Sequence, residues 1–174
     1  PGLPFDDLFG IGQLDECVFL DQQPIGRSPR SNPVTYIKAF DEIRRVFAQA
    51  TDARTRNITM SHFSFNVDGG RCPRCKGEGQ IGIDMQFLAD VYMDCPECDG
   101  TRYQPEILDI LYRGRSIADV LALTVREAFV FFRGETKVQA KLKRLLDVGL
   151  GYLRLGQGAN TLSGGEAQRL KMAT

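Results

Sequence analysis

The most informative segments of the sequence are two short cysteine pairs, Cys72-Pro-Arg-Cys75 and Cys95-Pro-Glu-Cys98. Two residues separate the cysteines of each pair, so that both sulfurs can reach one metal ion from a single tight turn. The nineteen residues between the pairs suffice for a hairpin that brings the second pair back beside the first. A glycine, Gly77 or Gly100, follows each pair and allows the backbone to fold around the ion. The spacing predicts one structural zinc ion, bound by Cys72, Cys75, Cys95 and Cys98.

Other uses of cysteine fit this chain less well. A redox-active pair of the thioredoxin type is expected within a βαβ pattern, which neither pair has around it. A catalytic zinc keeps one position open for water and usually has a histidine or carboxylate ligand, whereas His62, the single histidine, lies ten residues before Cys72. The fifth cysteine, Cys17, follows no such spacing and is expected to be a buried, unreactive thiol. An odd number of cysteines without a secretion signal argues against a disulfide framework.

The chain on either side of the cysteine pairs is predicted to be mainly helical. A helix from residue 33 to about residue 50, with Asn32 as its N-cap, would bury one stripe of apolar side chains: Ile37, Phe40, Ile43 and Phe47. Capping boxes at residues 116–119, 124–127 and 163–166 open three further helices, and another is expected over 137–148. Alternation or apolar content predicts strands at 16–20, 63–67 and 107–112, and a hairpin of strands 80–87 and 91–93.

Charge is distributed unevenly along the chain, although the net charge is zero. Residues 22–80 carry ten basic and five acidic side chains, whereas residues 81–99 carry five acidic side chains and no basic ones. A basic stretch is typical of a phosphate-binding surface. No run of about 18 apolar residues is present, so we predict no membrane span. The first residues lack an initiating Met and a signal peptide, and we expect the chain to begin inside a longer sequence.

The last predicted helix begins at Leu162-Ser-Gly-Gly-Glu166. Ser163 is its expected N-cap, and the two glycines leave the first backbone N–H groups of the helix uncovered. These donors, the positive end of the helix dipole and the Ser163 hydroxyl together form a potential anion site. Because any capped helix with glycines has some of these features, this short motif alone is a weak signal.

The segment 162–169 resembles the signature motif of ABC-type ATPases. With the two cysteine pairs and the segment 27–33, it resembles the C-terminal half of the UvrA family, the damage-sensing ATPases of bacterial nucleotide-excision repair, over nearly all of the chain. The resemblance implies an α+β fold. Residues 1–70 and 104–174 would form a largely helical signature domain, and residues 71–103 would form an inserted zinc-binding module built on a β-hairpin. It also implies a cytoplasmic protein.

The resemblance also implies roles in nucleotide binding. Ser163, Gly164 and Gly165 would meet the γ-phosphate of ATP held by the opposite nucleotide-binding half, and Gln22 would sense that phosphate from a Q-loop-like segment. The chain contains no GxxxxGK[ST] loop, and no Walker B strand follows the signature. We therefore expect ATP to bind only in the full-length protein and this chain to be inactive alone. The implied partners are double-stranded DNA, the remaining ATPase halves and a second subunit in a dimer.

The candidate DNA contacts are basic side chains around the first cysteine pair and upstream of it, which would bind phosphates without sequence preference: Arg71, Arg74, Lys76, Arg27, Arg30, Arg54 and Arg56. Because the charges of the hairpin are all acidic, the hairpin itself would touch DNA only through Met85, Phe87 or Tyr92. Two alternative functions stay open. One is a UvrA-like paralogue in drug resistance, and the other is a protein-binding module of the DnaJ type, whose CxxCxGxG repeat matches residues 72–79 but lacks its last glycine in the second pair.

Overall fold

The computed structural model describes residues 6–7, 9–13, 15, 25–26, 28–83 and 91–174. Within them the chain forms short helices around one apolar core, with a small antiparallel sheet. The helices before the sheet are α1 (Pro33–Tyr36), α2 (Ala39–Ala48) and α3 (Thr51–Thr55), preceded by a 3₁₀ turn at Ile11–Gln13. The sheet consists of β1 (Gln80–Ile83) and β2 (Val91–Asp94). The helices after the sheet are α4 (Pro105–Leu108), α5 (Ile117–Ala122), α6 (Val125–Phe131), α7 (Thr136–Asp147) and α8 (Gly164–Met172), with a 3₁₀ turn at Ala159–Thr161.

The first long helix of the prediction is two helices in the structure. Asn32 caps α1 as predicted, since its side chain accepts a hydrogen bond from the Thr35 N–H at 3.0 Å. The chain then leaves the helix at Lys38, which has a left-handed backbone with φ of 57°, and α2 begins at the next residue. The predicted apolar stripe is buried on both sides of this break: Ile37, Phe40, Ile43 and Phe47.

Three predicted capping boxes are confirmed, and they begin α5, α6 and α8. In each, a Ser or Thr side chain accepts from a backbone N–H three residues later, and an acidic side chain at that position accepts in return. Such boxes are local in sequence, which is why they can be predicted without knowledge of the fold. The predicted helix at 137–148 is α7, which packs against α2 and α6.

Two predicted strands are wrong. Residues 63–67 form turns and bends, because Phe63 and Phe65 are buried in an aromatic cluster with α2 instead of in a sheet. Residues 107–112 begin within the short helix α4, where Pro105 occupies the first turn, and Tyr112 pairs only with Arg115 across a turn. The predicted strand at 16–20 lies outside the described residues.

The predicted hairpin is confirmed where the structure describes it. β1 and β2 are antiparallel, with Gln80 opposite Asp94 and Ile83 opposite Val91, and residues 84–90 lie outside the described part. This register brings the residues that follow Cys75 next to those that precede Cys95. None of the helices among the described residues is long and apolar enough to cross a membrane.

Candidate metal centre and signature helix

The four predicted metal ligands come together at the base of the hairpin. The sulfurs of Cys72, Cys75, Cys95 and Cys98 all lie within 4.8 Å of one another, and all four side chains are buried. The Cys72–Cys95 and Cys75–Cys98 sulfurs are 3.9 Å and 3.7 Å apart. A zinc–sulfur bond of about 2.3 Å implies tetrahedral edges of about 3.8 Å, whereas a disulfide is about 2.05 Å long. The donor set and its size therefore fit a four-coordinate zinc ion.

Two backbone loops of matching shape hold these sulfurs. We call residues 72–79 the first knuckle and residues 95–102 the second knuckle. After its second cysteine, each knuckle has two consecutive residues with positive φ: Lys76 (51°) and Gly77 (84°) in the first, and Asp99 (45°) and Gly100 (76°) in the second.

The two knuckles also bond to each other in a matching way. The Cys95 N–H donates to the Gly79 carbonyl at 2.9 Å, and the Cys72 N–H donates to the Arg102 carbonyl at 2.8 Å. In each case the acceptor is four residues after the second cysteine of its knuckle. The thiol cluster thus has an approximate two-fold arrangement, in which each knuckle supports the start of the other.

Burial and backbone hydrogen bonds change the proton affinity of the thiols in different directions. Burial raises the pKa of Cys98 to about 12 and also raises the pKa of Cys72. Burial acts on Cys95 too, but hydrogen bonds from the Glu97 and Cys98 backbone N–H groups outweigh it and lower the pKa of Cys95. Because zinc binds thiolates, metal binding has to release protons from this cluster.

The two knuckles and the hairpin are tied to the helical core through the residues that flank them. Arg71 and Tyr103 form an antiparallel bridge, and the Gln104 N–H donates to the Gly70 carbonyl at 2.9 Å. The Tyr103 ring is buried, and its hydroxyl donates to the Phe63 carbonyl at 2.8 Å. Burial raises the Tyr103 pKa, so this hydroxyl remains a donor. The chain therefore enters the first knuckle and leaves the second knuckle at adjacent places on the core.

The start of α8 forms the second candidate site. The Ser163 N–H and hydroxyl donate to the Glu166 Oε2 atom at 2.8 and 2.9 Å, and the Glu166 N–H donates to the Ser163 hydroxyl at 3.3 Å. The Tyr152 hydroxyl donates to the other Glu166 oxygen at 2.7 Å, and Arg169 donates to that hydroxyl at 3.2 Å. Hydrogen bonds from the Ser163 backbone and from Tyr152 lower the pKa of Glu166. Sequence reasoning missed Tyr152 because it lies 14 residues from Glu166.

The glycines of α8 are exposed. Apart from the adjacent residues and the backbone of α8 itself, no atom of the described residues lies within 4 Å of a Cβ placed on Gly164 or Gly165. The packing within this part of the chain therefore does not require glycine at either position. What glycine provides here is an uncovered first turn with accessible backbone N–H groups.

The predicted basic residues have different environments. Arg71 is committed to internal contacts, since its guanidinium pairs with Asp68 at 2.8 Å and donates to the Asn66 and Lys76 carbonyls at 3.3 and 3.2 Å. Arg74 and Lys76 are exposed on the first knuckle, and Arg30 lines the same shallow groove.

Arg30, which lines that groove, lies 3.6 Å from Glu78 in an ion pair. Arg54 and Arg56 lie elsewhere, at the end of α3, where Arg56 pairs with Asp109 at 3.3 Å. Tyr92, the candidate aromatic contact of the hairpin, is 54% exposed. Gln22, Arg27, Cys17, Met85 and Phe87 lie outside the described residues.

Sequence reasoning also missed Arg102, which has φ of 77° and is partly buried. Its guanidinium lies 5.2 Å from the centre of the Phe65 ring and donates to the Gly156 carbonyl at 3.0 Å. A signal was present in the sequence, because Arg102 stands where the repeat of the first knuckle has Gly79.

Comparison with known proteins found close relatives. The chain is 57% identical over 170 residues, 98% of its length, to UvrABC system protein A of Staphylococcus epidermidis, and 56% identical over all 174 residues to that of Staphylococcus aureus. It also matches the crystal structure of UvrA2 from Deinococcus radiodurans over 94% of its length, with 53% identity and a TM-score of 0.88. The chain spans 18% of the two staphylococcal proteins and 20% of the UvrA2 chain. No protein-family model matches it.

Proposed function

This chain belongs to the UvrA family, and we propose that it serves there as a zinc-containing signature module of an ATPase that recognises damaged DNA in nucleotide-excision repair. In this proposal, residues 71–103 form an inserted zinc-binding module. Residues 1–70 and 104–174 form the signature domain that carries it. The module works in the cytoplasm, together with the other ATPase segments of the parent protein and a second subunit.

The role proposed for zinc is structural. Four buried thiols provide a complete tetrahedral shell, which leaves no ligand position for water or substrate. The described hairpin strands are four residues each, too short for a two-stranded sheet to be stable by itself in water. Zinc binding to such sites is worth about 10 kcal/mol or more, and we propose that this free energy folds the hairpin.

The role proposed for α8 is to complete an ATP site formed with another part of the parent protein. Its uncovered first turn and its dipole suit a phosphate, which would be met by Ser163, Gly164 and Gly165. The Ser163 hydroxyl proton is directed at Glu166 in this structure, so Ser163 would have to turn that proton toward the γ-phosphate. A Ser163→Ala substitution should then reduce ATP turnover in the full-length protein, whereas turnover by the isolated chain would contradict the proposal.

The observation that carries the proposed DNA contact is the groove beside the first knuckle. Arg30, Arg74 and Lys76 line it together, and two of them are exposed on the same tight loop. Exposed cationic side chains can bind the phosphates of DNA of any sequence, which suits a protein that must scan DNA for damage. Arg71 is a weaker candidate than the sequence suggested, because its donors are used within the chain.

The test is the salt dependence of binding to short duplex DNA, with and without a lesion. Each lost phosphate contact should reduce the slope of log affinity against log salt concentration by about 0.9. We expect Arg74→Glu/Lys76→Glu to reduce the slope by nearly two, and Arg133→Glu/Lys137→Glu, the same charge change at exposed positions near the start of α7, to change it less. Absence of duplex binding by the zinc-loaded chain would refute the DNA contact.

A cellular experiment distinguishes two hypotheses within the UvrA family, a repair protein and a drug-resistance paralogue. The chain matches UvrABC system protein A and UvrA2 at similar identity, and neither match tests the alternative of a drug-resistance paralogue. Replacing the corresponding segment of a repair-competent UvrA by this one should preserve survival after ultraviolet damage. Loss of survival, with the chimaera expressed and loaded with zinc, would favour the paralogue.

A further inference from the structure

The second knuckle contains a residue that its backbone does not favour. Gly79 in the first knuckle has φ of 76°, and Arg102 at the matching place in the second has φ of 77°. Glycine adopts this left-handed conformation readily, whereas an arginine there is strained. Both carbonyls perform the same task, accepting the N–H of the first cysteine of the other knuckle. This backbone hydrogen bond therefore does not explain why an arginine occupies the position.

The side chain of Arg102 provides the explanation. It leaves the zinc-binding module and reaches the loop that precedes α8, where its Nη2 atom donates to the Gly156 carbonyl at 3.0 Å. On the way it lies over the Phe65 ring in the core. The guanidinium is thus held by the apolar core on one side and by the loop on the other. Arg102 thus connects the backbone of Cys72, the core at Phe65 and the loop at Gly156.

The loop reached by Arg102 leads directly to the signature serine. The Gly156 N–H donates to the Leu121 carbonyl at 2.8 Å, and the Ala159 N–H donates to the Ser31 carbonyl at 2.7 Å. The 3₁₀ turn at Ala159–Thr161 follows, and Ser163 caps α8 two residues after it. The position of Gly156 therefore contributes to the position of Ser163.

We propose that Arg102 is a positioning residue, through which metal occupancy of the cysteine cluster sets the placement of the loop at 156–162. A bound metal fixes Cys72 and Cys98, and these fix the backbone of Arg102 between them through the Cys72 N–H bond and the tight knuckle. The fixed backbone then aims the guanidinium at Gly156. This inference rests on the proposed zinc site, and it joins that site to the signature helix.

The alternative is that Arg102 only fills space beside Phe65. The two roles differ in one measurable property. If Arg102 only fills space, an apolar side chain of similar length should preserve the response of the loop to zinc. If Arg102 positions the loop, the same substitution should leave zinc bound but remove the response.

The experiment is backbone hydrogen exchange of the chain, with zinc bound and after chelation, followed at the Ala159 and Gly156 amides. Chelation should accelerate exchange at these amides in the unsubstituted chain by about tenfold or more, the ratio expected for loss of one hydrogen bond from a charged donor. In Arg102→Met, with one zinc per chain, exchange should already be fast and chelation should add little. Arg113→Met is the matched control, since Arg113 also donates to backbone carbonyls, those of Phe131 and Arg133.

The outcomes separate this inference from the proposed zinc site. If no zinc binds to the unsubstituted chain, the zinc site itself fails. If zinc binds but chelation leaves exchange at Ala159 unchanged, the positioning role is refuted whatever the variants show. If Arg102→Met keeps zinc and exchanges as the unsubstituted chain does in both states, the role is likewise refuted. Should Arg102→Met not fold, Arg102→Leu, which is also apolar, replaces it. Zinc binding without the response of the loop then supports the positioning role, and zinc binding with the full response refutes it.

Discussion

The two knuckles have matching backbone conformations but carry different side chains on their outer surfaces. Each holds two buried thiols, has three residues of positive φ after its second cysteine and accepts a hydrogen bond from the N–H of the other knuckle's first cysteine. Their exposed positions carry opposite charges at matching places: Arg74 and Lys76 in the first knuckle, and Glu97 and Asp99 in the second. The shared thiol cluster therefore constrains the buried atoms of both knuckles and leaves their outer side chains free to differ.

The difference extends to the residue that closes each knuckle. Gly79 closes the first without a side chain, next to the groove of basic residues. Arg102 closes the second and binds the loop before α8. In the proposed function, the first knuckle faces DNA, whereas the second is joined to the loop before the signature helix α8.

Removing a thiol should have the largest effect on folding, because both knuckles bind the same ion in the proposed zinc site. Cys95 is fully buried within the cluster, and Cys95→Ser should abolish tight zinc binding and unfold the hairpin, a loss of about 10 kcal/mol of metal-linked folding free energy. Zinc content and backbone exchange of β1 and β2 measure this. Cys17→Ser, the same chemical change outside the predicted ligand set, should keep one zinc per chain. A Cys95→Ser chain that still held one zinc would contradict the site.

The next largest effect should come from glycines at matching places in the two knuckles. A Cβ on Gly77 would lie 2.1 Å from the Phe65 carbonyl oxygen, whereas one on Gly100 would have its nearest neighbour at 3.5 Å, in Asp94. Gly77→Ala should therefore lower the free energy of unfolding by about 3 kcal/mol or more, and Gly100→Ala by about 1–2 kcal/mol from backbone strain alone. Denaturant unfolding of the zinc-loaded chain gives both values. Equal losses would mean that the Phe65 contact is unimportant.

Features that depend on residues close together in the sequence could be predicted from it, whereas features that depend on residues far apart in the sequence could not. The cysteine spacing and the capping boxes at Ser116, Thr124 and Ser163 act within a few residues, so the sequence alone reveals them. Phe63 and Phe65 alternate as in a strand, but the core that buries them comes from helices distant in sequence. The same limit applies to the candidate DNA contacts. The positive charge of Arg71 suggested DNA binding, but its guanidinium contacts other residues of the chain.

Reversing the two acidic charges of the second knuckle should have a smaller effect, which is confined to DNA binding. Because Glu97 and Asp99 match Arg74 and Lys76, Glu97→Lys/Asp99→Lys gives both knuckles a basic outer surface. We expect stability and zinc content to stay the same and duplex affinity at low salt to rise by about tenfold, through non-specific phosphate attraction. Filter binding over a series of salt concentrations measures this. A fall in affinity would show that the acidic knuckle itself contacts DNA.

The smallest effect on stability is expected from a substitution in the α8 cap. The cap contains no predicted metal ligand and therefore serves as a reference for both knuckles. The pKa of Glu166 is lowered by hydrogen bonds from Ser163 and Tyr152. A lowered carboxyl pKa means that the cap stabilises the fold above the ordinary pKa of glutamate, about 4.3, and loses this contribution as pH falls through the lowered value. NMR titration of the carboxyl should show the lowered pKa, and Glu166→Gln should remove this part of the acid response. An ordinary pKa for Glu166 would contradict the cap in solution.

X-ray absorption at the zinc edge of the loaded chain measures whether both knuckles share one zinc ion through four thiolates. We expect one zinc per chain with four sulfur neighbours at about 2.3 Å. Fewer than four sulfur neighbours, or nitrogen and oxygen ligands in their place, would contradict it.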